Sequence, residues 1–250
     1  MKRKFLSPLA ALAFAGFFSA HTFADEFYST TNAVGRHGDA LVTPANQLVT
    51  PAGMQVELPG LRPNAMALSP DGKILVTSGI TNQLIAIDPV SGKCLQSVAL
   101  PSGEIQEAQP LTDAILDADK KAQLSFTGLK FSPDGSRLYL ANVNGDVKVF
   151  SVARDKKISP LFSIPLPQGK YLKRTNDIPA GIAVSADGRK IYVALNLSNR
   201  LAEIEAATGK ILRLWNVGVA PFEVAICRNK IYVSNWGGRR PDAGSPSGPA

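Results

Sequence analysis

The sequence predicts an all-β fold assembled from repeated, four-stranded antiparallel units, and three observations predict it. A Ser-Pro-Asp-Gly phrase recurs between apolar runs. A second phrase, closing on a Gly-Lys turn, follows it. Copies of the Ile-Tyr-Val run at residues 191 and 231 set a bare repeat of about 40 residues.

The first phrase opens as Ala65-Met66-Ala67-Leu68-Ser69-Pro70-Asp71-Gly72 and runs into Lys73-Ile74-Leu75-Val76. It returns as Gly128-Leu129-Lys130-Phe131-Ser132-Pro133-Asp134-Gly135, ahead of Arg137-Leu138-Tyr139-Leu140-Ala141-Asn142. A third copy is Gly181-Ile182-Ala183-Val184-Ser185-Ala186-Asp187-Gly188, ahead of Ile191-Tyr192-Val193-Ala194. A worn copy runs from Phe222 through Glu223-Val224-Ala225-Ile226-Cys227 to Ile231-Tyr232-Val233-Ser234-Asn235. Each copy is predicted as strand, tight turn, strand. Pro presets φ for the second turn position, Asp bonds its own backbone, and Gly takes the left-handed conformation that follows. A type I turn closed by such a Gly is a hairpin connection with a bulge. The flanks are β-branched and aromatic.

The second half of the unit is Asn82-Gln83-Leu84-Ile85-Ala86-Ile87-Asp88-Pro89-Val90-Ser91-Gly92-Lys93. It recurs as Asn199-Arg200-Leu201-Ala202-Glu203-Ile204-Glu205-Ala206-Ala207-Thr208-Gly209-Lys210, with Gly145-Asp146-Val147-Lys148-Val149-Phe150 as a shorter version. Four short strands per unit make one propeller blade. Residues 102–125 and 165–179 read as insertions. Gln47 to Pro59 reads as the last strand of a blade, residues 25–46 as an extended arm, and 237–250 as a disordered or truncated tail.

The chain opens with Met1-Lys2-Arg3-Lys4, an apolar run to Phe18, and Thr22-Phe23-Ala24 before Asp25. That pattern predicts a signal peptide over residues 1–24, cleaved after Ala24, and a periplasmic or secreted protein. The formal charge of +7 loses three positive charges with it. Isolated pairs such as Lys156-Lys157 form no basic patch with aromatics between, so no nucleic-acid partner is expected. No second apolar stretch reaches membrane length. Cys94 and Cys227 fall in different repeats and are expected as two free, buried thiols.

Tyr139-Leu140-Ala141-Asn142, Tyr192-Val193-Ala194 and Tyr232-Val233-Ser234-Asn235, with the Gly-Lys turns, resemble the YVTN-repeat (YncE-like) β-propeller family over roughly residues 47–236. More narrowly, Leu48-Val49-Thr50-Pro51-Ala52-Gly53 and Ser234-Asn235-Trp236-Gly237-Gly238-Arg239-Arg240-Pro241 resemble exported bacterial proteins that join such a propeller to a phosphoesterase domain of the alkaline-phosphatase type. The resemblance implies a ring of about seven blades. This sequence supplies three units and half of a fourth, an incomplete ring with exposed strand edges.

Chemistry is sparse. His37 lies in the polar arm, away from any nucleophile and carboxylate pair. No Cys-x-x-Cys-His, His-Glu-x-x-His, G-x-S-x-G or P-loop occurs. Asp113, Asp117 and Asp119 lack the Gly and distant Glu of a calcium loop, and Lys120-Lys121 follow them, so a solvated turn is the reading. No catalytic residue, metal ligand or cofactor is assigned. Candidate binding residues sit where first strands begin: Arg62 and Asn64, Arg174 and Asn176, and Glu223. Arg62 and Arg174 would hold an anion by forked hydrogen bonds. Asn235, Trp236, Arg239 and Arg240 add an aromatic platform and two guanidinium groups.

The expected function is an exported, non-catalytic module for binding or protein interaction at the propeller face. One alternative is the propeller part of a larger phosphoesterase whose catalytic domain is absent here. Another is a lactonase-like enzyme. The expected partner is a protein or small molecule, with a second copy or a C-terminal domain completing the ring.

Overall fold

A computed structural model describes residues 33–50, 52–101, 119–171 and 174–245. The expected signal peptide, Asp113, Asp117 and Lys173 lie outside them. The chain divides into two compact units, residues 1–53 and 54–250.

In the first unit, β1 (Gly35–His37), β2 (Ala40–Val42) and β3 (Leu48–Val49) form an antiparallel sheet in that order. Residues 35–42 are thus a hairpin where an extended arm was expected. Leu48-Val49 pairs with β2 and is not the last strand of a blade. A tight turn causes this: the Asn46 N–H donates to Thr43 O with Asn46 at φ +58°, and the Thr43 N–H donates to Gln47 O.

The second unit begins with the four-stranded sheet β4 (Pro63–Leu68), β5 (Leu75–Gly79), β6 (Gln83–Ile87) and β7 (Cys94–Ala99). The next comprises β8 (Leu124–Phe131), β9 (Arg137–Asn142), β10 (Asp146–Val152) and β11 (Ile158–Pro165). A hairpin of β12 (Gln168–Tyr171) and β13 (Arg174–Asn176) fills most of the 165–179 insertion. The third sheet comprises β14 (Pro179–Val184), β15 (Lys190–Leu195), β16 (Arg200–Glu205) and β17 (Ile211–Asn216). A two-stranded sheet, β18 (Pro221–Cys227) and β19 (Lys230–Asn235), completes the described residues. Every pairing is antiparallel and follows chain order, and the described residues contain no helix. The first strands stand side by side, β8 between β4 and β14, and β14 between β8 and β18. The four sheets are three blades and half of a fourth.

The repeated turns have the expected chemistry. In the third blade Gly188, at φ +71°, donates its N–H to Ser185 O at 2.8 Å. The Ser185 hydroxyl donates to Asp187 at 2.6 Å, and the same carboxylate accepts the Arg189 N–H at 3.0 Å. Ser69–Asp71 and Ser132–Asp134 repeat the arrangement. In all three, the Ser hydroxyl is the main cause holding the Asp carboxyl below its ordinary range.

Alternation along the strands builds the joints between blades. Ala67 of the first blade packs with Leu129 and Phe131 of the second. Tyr139 and Ala141 of the second pack with Ile182 and Val193 of the third. Ala183, Tyr192 and Ala194 of the third pack with Val224, Ile226 and Ile231 of the last. At the second and third joints the earlier blade contributes Tyr and Ala among its packing residues, whereas at the first joint it contributes Ala67, Val76 and Leu84.

Both cysteines are free, and both are exposed. The expectation of burial fails because Cys94 opens an outermost strand and Cys227 sits at the β18–β19 turn, where no blade covers them.

Candidate functional site

Antiparallel order puts the start of each first strand and the end of each second strand at one rim of the stack. The Ser-Pro-Asp-Gly turns lie at the other. All nine candidate residues sit at the first rim or in the loop that follows β19.

Each first strand carries a register irregularity near its start, between Pro63 and Ala65, Leu124 and Leu129, Pro179 and Ile182, and Pro221 and Val224. In β8 it holds Phe126 at φ +50°, a conformation that a bulky side chain rarely adopts. Phe126 is thereby brought against the last half-blade. Its ring meets Phe222 edge-on at 5.4 Å and Trp236 edge-on at 5.3 Å. Phe222 and Trp236 stack, with centroids 4.4 Å apart and planes inclined by 22°. Edge-on and offset pairs follow the ring quadrupole and add about 0.5–1.5 kcal/mol each beyond burial. Trp236 nevertheless remains 64 % exposed.

Glu223 stands beside this cluster. The register places Val224 where the third blade has Ile182, so Glu223 occupies the position of Gly181, Gly128 and Ala65. A Cβ on Gly181 would stand 2.4 Å from the Glu223 carboxylate. Glycine at 181 therefore makes room for Glu223, which reaches past the third blade to accept the Thr127 hydroxyl at 2.6 Å. Its other oxygen accepts the Val224 N–H at 3.0 Å.

The arginines divide. Arg174 donates from Nε to Asn176 O at 2.8 Å and from Nη2 to Val143 O at 2.6 Å. Its fork therefore fastens β13 to the β9–β10 turn, and the expected anion fork at Arg174 is corrected. Arg240 does the same one blade later, donating to Val217 O at 2.8 Å and to Asn199 O at 2.5 Å. Arg239 pairs with Asp242 at 3.1 Å in the open. Arg62 and Asn64 are exposed at the opposite end of the row of first strands. Asn176 is spent on Asn144 O and Gln168. Asn235 donates to Val233 O, while its Oδ1 is buried without a partner among the described residues. The structure thus gathers Glu223, Trp236 and the nearby Asn235, and leaves Arg62, Asn64 and Arg174 apart from them.

Phe126 and Thr127 escaped the sequence reading because they sit in the bulge before the repeat proper. The findable signal was Glu223, a charged residue at the glycine position of the repeat.

Other chemistry is structural. Buried Lys148, 1 % exposed, bridges Asp146 at 3.0 Å and Asp119 at 3.1 Å. Asp119, considered above for calcium, is thus an ion-pair partner. Burial pushes the Asp146 carboxyl up, against the opposing pull of Lys148. Buried Asp177 accepts the Tyr171 hydroxyl and the N–H groups of Ile178 and Leu197. At the other rim a groove of about 680 Å³ separates the Ser132–Gly135 and Ser185–Gly188 turns of the second and third blades. Its acids, Asp134, Asp187 and Glu205, are tied into the turns beside them. Exposed His37 lies with Nε2 2.5 Å from Ala33 O. No group of three or more His, Cys, Asp or Glu able to hold a metal occurs among the described residues.

No protein-family model matches this sequence. No curated protein matches it either. Solved structures do. U3-55K aligns with a TM-score of 0.53 at 12 % identity, over 72 % of this chain and 47 % of its own. The WD40 repeats of RRP9 align with 0.52 at 13 %, over 72 % and 47 %. A protein of Desulfotomaculum acetoxidans aligns with 0.52 at 15 %, over 76 % and 52 %. The fold is a β-propeller. At these identities the likeness concerns fold alone, and the chain spans about half the length of each of these structures.

Proposed function

We propose that this chain is an exported, non-catalytic β-propeller module of the YVTN-repeat kind. It binds a partner through the rim formed by Phe126, Phe222, Trp236 and Glu223. The export pattern at the N-terminus supports a periplasmic or secreted location. The observation that carries binding is Trp236. It packs against two aromatic rings yet stays largely exposed, and Phe222, on which it stacks, is the chain neighbour of Glu223. Rigid aromatics with low entropy to lose are the residue types that anchor interfaces. The backbone conformation of Phe126 costs of order 1–3 kcal/mol, which local folding alone would relax by placing glycine there. The partner is polar enough to face Glu223 and has a planar or apolar group for the indole.

The test is capture of partners from the native exported fraction on immobilised protein, with Trp236→Ala as control. The reading expects a component retained by the wild type and lost by the variant, both having the same far-UV circular dichroism. An identical retained set for the two proteins would overturn it.

A further inference from the structure

The groove between the second and third blades holds charge that the fold does not use. Its volume of about 680 Å³ lies in the range of pockets that take a drug-sized ligand. Both walls belong to four-stranded sheets. Arg137 and Tyr139 of β9 line it from the second blade, Arg189 and Glu205 from the third. The Arg137 guanidinium lies 5.9 Å over the Phe162 ring. Its Nη1 is shut away from solvent without a hydrogen-bond partner, and neither Arg137 nor Arg189 forms an ion pair among the described residues. A guanidinium keeps its proton, so it cannot relieve such a position by becoming neutral. An ionised donor taken from water without an acceptor is costly. The acids that could answer it are committed to their own turns. Asp134 accepts the Ser132 and Ser136 hydroxyls, Asp187 the Ser185 hydroxyl and the Arg189 N–H, and Glu205 the Thr208 hydroxyl. Asp134 and Asp187 are held below their ordinary range by these bonds and stay anionic. A carboxylate has about four acceptor sites, so each keeps spare ones at the groove wall.

We infer that this groove binds a short peptide as a zwitterion, with the peptide carboxylate on Arg137 and its ammonium group beside Glu205 and Asp187. The charge balance selects this chemistry. Two arginines line the groove against three acids, which leaves one net negative charge. A dianion such as phosphate would meet three carboxylates. A purely cationic ligand would leave Arg137 without an acceptor. A ligand with one charge of each sign satisfies both walls. The planar guanidinium matches a carboxylate as a fork, and the flexible stem of Arg137 lets Nη1 swing from the Phe162 ring toward the opening. A pocket of this volume suits a drug-sized ligand, which favours a peptide of several residues over a free amino acid. The groove opens at the rim opposite Trp236, so the inference is independent of the binding surface proposed above.

Isothermal titration of triglycine into the full chain tests this, with triglycine amide and N-acetyltriglycine as comparators. Triglycine should bind saturably, and each comparator about tenfold more weakly, because each lacks one of the two charges. Arg137→Gln should weaken triglycine binding about tenfold while circular dichroism shows the same fold. Glu205→Gln keeps an acceptor for the Thr208 hydroxyl. It should weaken triglycine yet leave N-acetyltriglycine unchanged, and it carries the test alone if Arg137→Gln does not fold. Trp236→Ala should bind triglycine as the wild type does, which separates this site from the aromatic rim. Absence of saturable triglycine binding, or comparators that bind as tightly as triglycine, would overturn the inference. So would glycine or inorganic phosphate binding as tightly as triglycine, or triglycine binding that is indifferent to Arg137→Gln or Glu205→Gln.

Discussion

Gly128 faces Ala180 where the first strands of the second and third blades meet, and a Cβ on Gly128 would stand 2.2 Å from Ala180 O. Ser125, three residues earlier, donates its hydroxyl to Pro179 O across the same joint. The glycine that opens the repeat phrase is therefore the condition for two inner strands to approach. Gly128→Val should destabilise the protein by about 1–3 kcal/mol through overpacking against backbone that cannot yield. The check is the urea midpoint, with Lys130→Val on the same strand as the control, since Lys130 is exposed and should tolerate the change within about 0.5 kcal/mol.

Lys148 holds two carboxylates from inside the second blade. Lys148→Ala should cost about 3–5 kcal/mol, because removing one partner of a buried pair leaves charge uncompensated. Lys148→Met with Asp146→Asn should recover part of that loss, since one of the two carboxylates left without its counter-charge is then neutral. Chemical denaturation of the single and double variants measures the difference.

Acid should unfold the protein progressively, and the sign follows from the turns. Asp71, Asp134 and Asp187 are held below their ordinary carboxylate range, mainly by Ser hydroxyls. Such groups add stability that is present above the unfolded-state pKa and is lost as pH falls through the folded one. Asp146 is shifted upward by burial, so its contribution runs the opposite way and favours folding at low pH. Asp88 is likewise held low by the Ser91 and Val90 N–H groups, so four groups oppose one, and the melting temperature should fall between neutral pH and pH values near 3. Replacing Asp71, Asp134 and Asp187 together with Asn should flatten that fall, because the amide oxygen still accepts the turn N–H groups without titrating.

Arg240 reaches back to two carbonyls of the third blade, and Arg174 makes the equivalent reach one blade earlier. Arg174→Lys should lower the melting temperature although charge is kept, since a point charge cannot span Asn176 O and Val143 O as a planar fork does. Differential scanning calorimetry is the check, with Arg239→Lys expected to change little.

Much of the fold was legible in the sequence. Ser69-Pro70-Asp71-Gly72 and its copies have local causes, so turn chemistry alone placed them, and period fixed the blade count. What depends on remote neighbours was not legible. Leu48-Val49 has the composition of a blade strand, but pairing is set by the Thr43–Asn46 turn. Cys94 and Cys227, in different repeats, are expected free and buried, while their exposure follows from edge positions. Arg174 looked like an anion fork because only the fold brings Val143 O within reach. Trp236 was found from its flexible, basic surroundings, whereas Phe126 lies 110 residues before it and meets it only through a bulge. The repeat did mark Glu223, since a carboxylate replaced Gly or Ala at one position of an otherwise regular pattern.

The most direct measurement follows Trp236 itself. In a Trp215→Phe background, which leaves Trp236 as the one tryptophan, its emission is recorded while the captured partner is titrated into the purified protein. Binding at the Phe126–Phe222–Trp236 rim predicts a saturable shift in emission. It also predicts that Glu223→Gln or Phe222→Ala weakens the apparent affinity about tenfold, equivalent to about 1.4 kcal/mol. Binding that saturates by calorimetry while the Trp236 emission stays unchanged would place the interface elsewhere on the propeller and contradict the proposed function.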